Sequence, residues 1–286
     1  MKILLIGAHG ILGTKLFEFL KIKGHDVLKT NRTRFSLKEN EYSEYINEFK
    51  RIIAIKRPEI VINLLALTNV DYCEMNMEEA FISNVLSLES IIEFLNDSGV
   101  FLIHISTDQV YSSGIKHKED LVSPCNIYGL TKYTSELVAN KANSTILRTN
   151  YVGKSLLKTK QSLTDWFVNS CKSKEKIILF KDIFFNPLHS KKLCEIIELV
   201  SYKKKKGTYN LGTVDFISKA EFLIQIHNKL KLNNPNMQIS SSVNIKTKAK
   251  RPLYMVTEVS KFEKIFDIKL PNIKDTICSV ANDYLT

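Results

Sequence analysis

A tyrosine and a lysine four residues apart, Tyr128 and Lys132, have the clearest potential for chemistry in this sequence. At this spacing both side chains lie on one face of a helix. A phenol titrates at about pH 10, and a nearby ammonium favours its ionised form, which brings the group toward a working pH. The hydroxyl of Thr107, at the end of a predicted strand, can hydrogen-bond a reacting carbonyl oxygen. The three residues therefore predict proton transfer at a carbonyl or alcohol group.

A glycine-rich loop, Gly7, Gly10 and Gly13, follows the first apolar run of the chain. Glycines at this spacing permit a tight turn, let the backbone approach a pyrophosphate, and allow a helix to pack closely on a strand. The helix that begins near Ile11 and Leu12 offers its N–H groups and the positive end of its dipole to phosphates. The loop therefore predicts a dinucleotide-binding site.

The end of the second predicted strand indicates which dinucleotide is bound. An acidic residue at this position accepts a hydrogen bond from the ribose of NAD, whereas an arginine accommodates the 2′-phosphate of NADP. Here the strand is followed by Asn31, Arg32 and, two residues later, Arg34, with no acidic residue at its tip. NADPH is therefore favoured, with Arg32 as the main contact and Asn31 beside it, and NADH stays open.

Alternating strands and helices must position these residues. The predicted strands cover residues 2–6, 25–30, 59–65, 100–106 and 144–148, and the predicted helices cover residues 12–23, 42–56, 77–96 and 126–141. Continuous apolar strands that alternate with helices are typical of a parallel sheet covered on both faces. The pattern predicts a doubly wound α/β fold of the Rossmann type, with a smaller C-terminal substrate lobe.

The strand–helix rhythm weakens after residue 150. We expect helices over 163–173, 188–200 and 218–230, a strand over 207–211, and a helical tail over 261–284 that Pro271 interrupts. Residues 1–150 are thus predicted to form a dinucleotide-binding domain, completed by a segment near 186–214. The remainder of residues 151–286 is predicted to form the substrate lobe.

The composition excludes several other classes of protein. Of 286 residues, 44% are hydrophobic and 25% charged, which is ordinary for a globular protein. No apolar run approaches the roughly 20 residues of a membrane span, and no signal peptide is recognisable. The five cysteines are scattered and form no CxxC pair, so neither a disulfide framework nor a metal site is predicted. A cytoplasmic protein without membrane contact is expected.

The net charge of +11 raises the question of nucleic-acid binding. The excess is lysine, 35 residues against 6 arginines, and it is spread along the chain. Nucleic-acid-binding proteins instead show clustered arginines with aromatic residues or a recognisable module. We therefore predict no nucleic-acid partner, and a charge that concentrates a small anionic substrate.

Motifs along nearly the whole chain carry a resemblance to a known family. They are GAHGILG at 7–13, RPEIVIN at 57–63, T-x-VD-x-x-E at 68–74, ISTDQVY at 105–111, P-x-N-x-YGLTK at 124–132, LRTNYV at 147–152, KRP at 250–252 and VSKFEK at 259–264. In combination they resemble the extended short-chain dehydrogenase/reductases, and within them most closely the dTDP-4-dehydrorhamnose reductase branch.

The resemblance implies NADPH-dependent reduction of a keto group on a nucleotide-activated sugar, in polysaccharide biosynthesis. Thr107, Tyr128 and Lys132 would be the catalytic residues, and Lys132 would also hydrogen-bond the nicotinamide ribose. The loop after strand 59–65 would line the cofactor, and three further residues would contact the substrate. The implied positions are Asn63, Ala66 and Thr68 for the cofactor, Asp108 and Tyr151 for the sugar, and Arg251 for the diphosphate.

Two other functions remain open at this point. A sugar-nucleotide epimerase or dehydratase uses the same three residues, although a dehydratase usually carries a second acid where this chain has Gln109. A non-catalytic NADP-binding regulatory subunit is the other alternative. The chain also departs from the family at Leu64, Leu65, Asn150 and Tyr151. The identity of the sugar and the nucleotide and the existence of a homodimer are left open.

Overall fold

The computed structural model describes residues 1–30, 39–112, 114, 116–234, 236–244 and 248–285. The strands are β1 (Lys2–Ile6), β2 (Asp26–Lys29), β3 (Ile60–Asn63), β4 (Phe101–Thr107), β5 (Ser144–Thr149), β6 (Tyr151–Val152), β7 (Ile177–Phe180), β8 (Phe184–Phe185), β9 (Leu188–His189), β10 (Gly207–Leu211), β11 (Ile217–Ser218) and β12 (Met237–Ser240). The helices are α1 (Ile11–Ile22), α2 (Glu39–Lys56), α3 (Val70–Met75), α4 (Met77–Phe81), α5 (Ser87–Ser98), α6 (Ile127–Ala139), α7 (Leu163–Lys172), α8 (Ser190–Lys203), α9 (Lys219–Lys229), α10 (Ser260–Phe266) and α11 (Ile273–Leu285).

A six-stranded sheet in the order β10-β5-β4-β3-β1-β2 forms the centre of the molecule, and all its pairings are parallel. The strand order reverses between β1 and β3, because the chain runs from β1 to one edge and then returns to the other side of β1. In doubly wound folds, ligands bind at this reversal, outside the carboxyl ends of the strands. The predicted α/β fold is confirmed.

Helices cover both faces of this sheet. On one face, apolar residues of α1, α8 and α10 pack in one core with β1, β3 and β10, including Leu16, Ile197 and Phe262. On the other face, α2, α5 and α6 contribute to a second core, with Phe49 and Ile91 fully buried. Because both faces are covered, the inner strands are apolar on both sides, which explains their continuous apolar runs.

The helix predicted over residues 77–96 is interrupted in the structure. A π-helical turn, Ile82–Leu86, separates α4 from α5. The reason is Asn84, whose buried amide accepts from the Leu67 N–H (2.7 Å) and donates to the Thr131 hydroxyl (3.0 Å). The extra residue in the turn points Asn84 inward, where it anchors the loop after β3 to α6.

The start of one helix and the presence of an additional short helix also differ from the sequence-based expectation. The helix expected from residue 188 begins at Ser190, because Leu188–His189 pairs with β6 as strand β9. The short helix α3 follows the loop after β3, and the sequence pattern did not indicate it. Its cap is Asn69, whose side chain accepts from the Tyr72 N–H.

The rest of the C-terminal half packs around a third apolar cluster. It joins α7, α9 and α11 with the short strands β7 and β8, and Phe185, Phe222 and Ile277 are fully buried there. The strand pairs β7–β12 and β8–β11 border this cluster. Within the described ranges, none of the helices combines the length and the apolar character needed to cross a membrane.

Candidate active site

The glycine loop after β1 has the geometry that phosphate binding requires. Gly7 has a φ of +81°, and a Cβ on it would lie 2.6 Å from the Leu65 nitrogen. A Cβ on Gly13 would lie 2.4 Å from the Gly7 oxygen, so α1 can pack on the loop only because residue 13 has no side chain. Gly10 caps α1 without a side-chain hydrogen bond. The N–H groups of Ile11 and the following residue therefore face outward from the helix terminus.

A cavity of about 330 Å³ opens at the carboxyl ends of β1, β3 and β4. It gathers most of the residues singled out in the sequence, from the glycine loop to α6. These are Gly7, Gly10, Ile11, Leu12, Gly13, Ala66, Thr68, Thr107, Asp108, Tyr128, Lys132 and Tyr151. The glycine cradle and the outward N–H groups of α1 fit the pyrophosphate of a dinucleotide.

Asn63, a predicted cofactor residue, is not among the described residues that line this cavity. Asn63 ends β3 and is buried beneath it, where its Oδ1 accepts from the Leu65 N–H at 3.1 Å. Asn31 and Arg32, with Arg34, lie outside the described residues.

The catalytic tyrosine candidate lies in the first turn of α6, where the helix meets the end of β4. Asn126 caps the helix by accepting from the Gly129 N–H at 2.8 Å. Gly129 is pressed against the carbonyl of Gln109, since a Cβ on it would lie 2.2 Å from that oxygen. The cap and this close contact place Tyr128 beside Thr107 in the cavity.

The hydroxyls of Tyr128 and Thr107 face each other. Burial raises the pKa of Tyr128, while a hydrogen bond between the Tyr128 and Thr107 hydroxyls acts in the opposite direction. Thr107 itself donates to Asp108 Oδ1 at 3.1 Å and accepts from the Gln109 N–H at 3.2 Å. The phenol is therefore protonated at neutral pH, which is the form that can donate a proton.

Lys132 is almost completely buried one helical turn further on. Its Nζ donates to the Ile105 carbonyl at 2.8 Å and lies 3.3 Å from His104 Nε2. Burial lowers the pKa of Lys132 to about 8, although the charge of Glu136 acts in the opposite direction. This lysine can therefore change its protonation state near neutral pH.

Asp108 is the carboxylic acid that borders this cavity among the described residues. Burial raises its pKa to about 6, opposed by a hydrogen bond from Asn150 Nδ2 (2.8 Å) and by the charge of Lys219. Tyr151 also lines the cavity. Its hydroxyl is hydrogen-bonded to the backbone of Leu12, so it lies on the side of the glycine loop. Burial raises the pKa of Tyr151 to about 12. The two residues expected at the sugar, Asp108 and Tyr151, thus both border the cavity, and both contribute to raising the pKa of Tyr128.

A second cavity of about 590 Å³ adjoins the first, and Gln109 lines both. It is bordered by Phe180, Ile183, Lys219, Ser242, Val243, Lys250, Arg251, Pro252, Leu253 and Met255. The predicted diphosphate contact, Arg251, lies here and is held by Asp71, with a distance of 2.6 Å between Nη2 and Oδ2. The cavity therefore combines apolar walls with three cationic side chains.

The sequence did not indicate Lys219, the first residue of α9. Its ammonium has no hydrogen-bond acceptor or carboxylate within bonding distance among the described residues, and lies 5.9 Å from the centre of the Phe185 ring. Burial lowers its pKa, with Asp108 opposing and Arg251 reinforcing that effect. Lys160, in the loop before α7, is a further unpredicted residue and borders the first cavity. Neither lysine belongs to a motif, so no sequence signal separated them from the other lysines.

Comparison with known proteins gives matches over the whole chain. The family model of the RmlD substrate binding domain matches residues 1–286. The dTDP-4-dehydrorhamnose reductase of Escherichia coli (strain K12) is 28% identical, with 100% of this chain and 99% of the relative covered. The spore coat polysaccharide biosynthesis protein SpsK of Bacillus subtilis (strain 168) is 26% identical, with 89% and 88% covered.

A solved structure shows the same fold. The dTDP-4-dehydrorhamnose reductase of Bacillus anthracis str. Ames, in complex with NADP, superimposes with a TM-score of 0.85. The alignment covers 98% of this chain and 99% of that one, at 23% identity. The arrangement of sheet, helices and C-terminal lobe is therefore shared along the full length of both chains.

Proposed function

The chain belongs to the RmlD substrate binding domain family, and we propose that it is an NADPH-dependent reductase of a keto group on a nucleotide-activated sugar. The observation that carries the proposal is the junction of the two cavities at Gln109, next to Thr107 and Tyr128. One cavity has a glycine cradle for a dinucleotide, and the other has cations for an anionic substrate. The relatives named dTDP-4-dehydrorhamnose reductase support this class of substrate.

We assign the cofactor to the first cavity. Its pyrophosphate would lie against Gly7, Gly10 and Gly13 and the N–H groups of Ile11 and Leu12. The loop residues Ala66 and Thr68 would flank it, and Lys132 would reach its nicotinamide ribose. When bound, the reduced nicotinamide supplies the hydride. Residues 1–150 with the returning segment near 186–214 would form the cofactor-binding part, and the remainder of residues 151–286 the substrate lobe.

The chemistry required of the chain is the delivery of one proton to the carbonyl oxygen. Tyr128 is protonated at neutral pH and donates that proton. Thr107 hydrogen-bonds the same oxygen as negative charge develops on it. Lys132, whose pKa is about 8, can return a proton to the phenolate through the cavity that both residues line. Each of the three side chains thus has a distinct part in the reaction.

The neighbouring residues favour reduction over dehydration. Elimination of water needs a second acid–base group beside the threonine, and position 109 is a glutamine, whose amide does not exchange a proton at neutral pH. Asp108 is the only carboxylate among the residues bordering the first cavity in the described part of the chain. A reductase requires no second acid.

The first experiment tests turnover directly. NADPH absorbance is followed with a panel of 4-keto sugars linked to dTDP, UDP or GDP, and with the free keto-sugars. We expect oxidation of NADPH with at least one nucleotide-linked sugar and much slower reaction of the free sugar, because the remote nucleotide holds the carbonyl in place. Absence of turnover across the panel would contradict the proposal.

The second part of the test removes the proton donor. Tyr128→Phe should lower kcat roughly 10²–10⁴-fold, since the phenol is the general acid, while NADPH affinity is retained. Tyr133→Phe is the matched control, because Tyr133 lies on the same helix and does not border either cavity. Near-normal turnover of Tyr128→Phe would show that another group delivers the proton.

A further inference from the structure

A buried histidine lies directly beneath the catalytic lysine candidate. His104 is fully buried in β4, and the parallel register of β3 and β4 places Asn63 beside it. On its other side the imidazole meets α6, with Nε2 3.3 Å from Lys132 Nζ and 3.3 Å from Ser135 Oγ. The imidazole therefore links the end of β3 to the helix that carries Tyr128 and Lys132.

The hydrogen bonds of Asn63 determine which nitrogen of His104 carries the proton. The Leu65 N–H can only donate, so the atom of Asn63 that faces it is Oδ1. Asn63 Nδ2 then faces His104 Nδ1 at 3.2 Å, and as an amide nitrogen it can only donate. His104 Nδ1 must accept. Burial and the charge of Lys132 lower the pKa of His104 well below its usual value, so the ring is neutral and its proton is on Nε2.

His104 consequently presents an N–H donor, and not an acceptor, to Lys132 and Ser135. An ammonium at Lys132 would place a donor against this donor. A neutral amine would donate to the Ile105 carbonyl at 2.8 Å and accept from Nε2–H through its lone pair. The contact with Nε2–H thus stabilises the neutral amine relative to the ammonium.

We propose that His104 is a positioning residue that destabilises the charged form of Lys132. Asn63 holds the imidazole as its Nε2–H tautomer, and the resulting N–H donor prepares Lys132 to exchange a proton with Tyr128. This inference rests on the proposed reductase function. After Tyr128 has given its proton to the substrate oxygen, the Lys132 ammonium returns a proton to the phenolate and becomes the amine. The amine then takes up a proton from water, which restores the starting state.

Other charged groups around Lys132 do not replace this effect. On its own helix, Glu136 favours the ammonium, but its carboxylate is bound by Arg148 of β5 at 2.6 Å and by Ser106 of β4. Tyr128, also on α6, is neutral when protonated. On β4, His104 is the titratable group in contact with the lysine. The donor at Nε2 therefore acts together with burial against the charge of Lys132.

The test measures the titration of Lys132 itself, without substrate. In the full-length protein with isotope-labelled lysine, the Lys132 signal is assigned by its loss in Lys132→Arg and followed by NMR against pH. We expect a midpoint near 8 in the unaltered protein. In His104→Gln the amide oxygen can accept from the ammonium, so the midpoint should rise by about one unit. An unchanged midpoint would overturn the proposal.

Two further variants keep the test decisive where His104→Gln folds poorly. Asn63→Asp replaces the donor to His104 Nδ1 by an acceptor, which moves the imidazole proton to Nδ1. Nε2 can then accept from Lys132, so the midpoint of the Lys132 titration should rise. Ser135→Ala removes the competing acceptor and leaves the Nε2–H donor to Lys132 alone, so the midpoint should stay or fall. A rise in Ser135→Ala, or no rise in Asn63→Asp, would contradict the tautomer assignment.

Activity measurements separate positioning from structural support. If the keto-sugar reduction is observed, the alkaline limb of kcat should move to higher pH in His104→Gln together with the NMR midpoint. A purely structural role would lower the melting temperature and reduce kcat equally at all pH values, and that result would overturn the proposal. The NMR titration gives its answer even if no substrate is turned over, so failure of the proposed function and failure of this inference are distinguishable.

Discussion

At the scale of single residues, burial acts in opposite directions on the two groups that share one face of α6. It raises the pKa of Tyr128 and lowers that of Lys132 to about 8, because the charged form of each group is penalised. The phenol is thereby kept as a proton donor, and the lysine is brought to the pH at which it can restore that proton. One physical cause thus gives both residues the properties that the proposed reduction requires.

The clearest prediction for the substrate concerns Lys219. Its ammonium has no bonded acceptor among the described residues. Of the two other cations that border the second cavity, Arg251 is held by Asp71 and Lys250 is exposed. Lys219→Gln should raise KM for the nucleotide sugar roughly 10- to 100-fold, the equivalent of about 1.5–3 kcal/mol for a hydrogen bond to a charged group. Steady-state kinetics at fixed NADPH measure the change.

The control for this prediction is Lys229→Gln, which removes an exposed charge at the opposite end of the same helix. It should leave KM unchanged. Equal effects of the two substitutions would show that the general positive charge, and not the position of Lys219, attracts the substrate. A change in NADPH affinity in Lys219→Gln would place this lysine with the cofactor.

The cofactor preference is a second prediction at this scale, and it rests on the sequence. If Arg32 contacts the 2′-phosphate, the protein binds NADPH more tightly than NADH, and Arg32→Asp should erase or reverse that preference. Calorimetric titration with both cofactors measures it, with Arg51→Asp in α2 as a control of equal charge change. Equal affinities of the unaltered protein for NADPH and NADH would contradict the assignment.

At the scale of elements, two glycines of the β1–loop–α1 unit, Gly10 and Gly13, have different functions. Gly13 permits packing, since a Cβ there would lie 2.4 Å from the Gly7 oxygen and 2.7 Å from the Ala8 Cα. Gly10 has room for a Cβ, whose nearest neighbour would be 3.5 Å away, yet this residue caps the helix that faces the cavity. The same substitution at the two positions should therefore have different consequences.

Gly13→Ala should destabilise the fold by roughly 1–3 kcal/mol, because backbone atoms must move to accept the methyl group. Gly10→Ala should leave the free energy of unfolding almost unchanged and weaken NADPH binding, because its methyl group would lie at the proposed pyrophosphate site. Urea unfolding and cofactor titration of both variants make the comparison. Equal loss of stability in the two would refute this division of roles.

A second element-level feature fixes α6 against the sheet. Arg148 of β5 donates to both oxygens of Glu136 and to the hydroxyl of Tyr111, and all three side chains are buried. Ser106 of β4 also donates to Glu136. Breaking such a buried, hydrogen-bonded ion pair leaves an uncompensated charge, so the network restricts α6 to one position relative to β4. That position determines where Tyr128 and Lys132 meet Thr107.

At the scale of the whole molecule, the net charge of +11 leads to a prediction about partners. Lysines spread over a surface bind DNA through counterion release alone, and this binding decreases steeply with salt. Binding of duplex DNA should therefore be weak at low salt and absent at physiological salt, as measured by fluorescence anisotropy. Sub-micromolar binding that persists at physiological salt would show that the positive charge forms a nucleic-acid-binding surface.

The sequence by itself determined the central architecture and the glycine loop. Three signals are local: the apolar runs of the strands, the 3.6-residue period of the helices, and the glycines between them. The succession of β1 to β5 along the chain and the position of the glycine loop after β1 follow from these signals. The spacing of Tyr128 and Lys132 is equally local, because four residues in a helix define one face.

Only the tertiary structure decided which other residues meet these groups. His104 contacts Lys132 through strand register and helix packing, Asp71 holds Arg251 across 180 residues, and Lys219 approaches Asp108 from the C-terminal half. The π-helical turn at Asn84 likewise depends on contacts to Leu67 and Thr131. Such contacts join residues far apart in the chain, and their partners depend on how the elements pack, which no local pattern of residue types records.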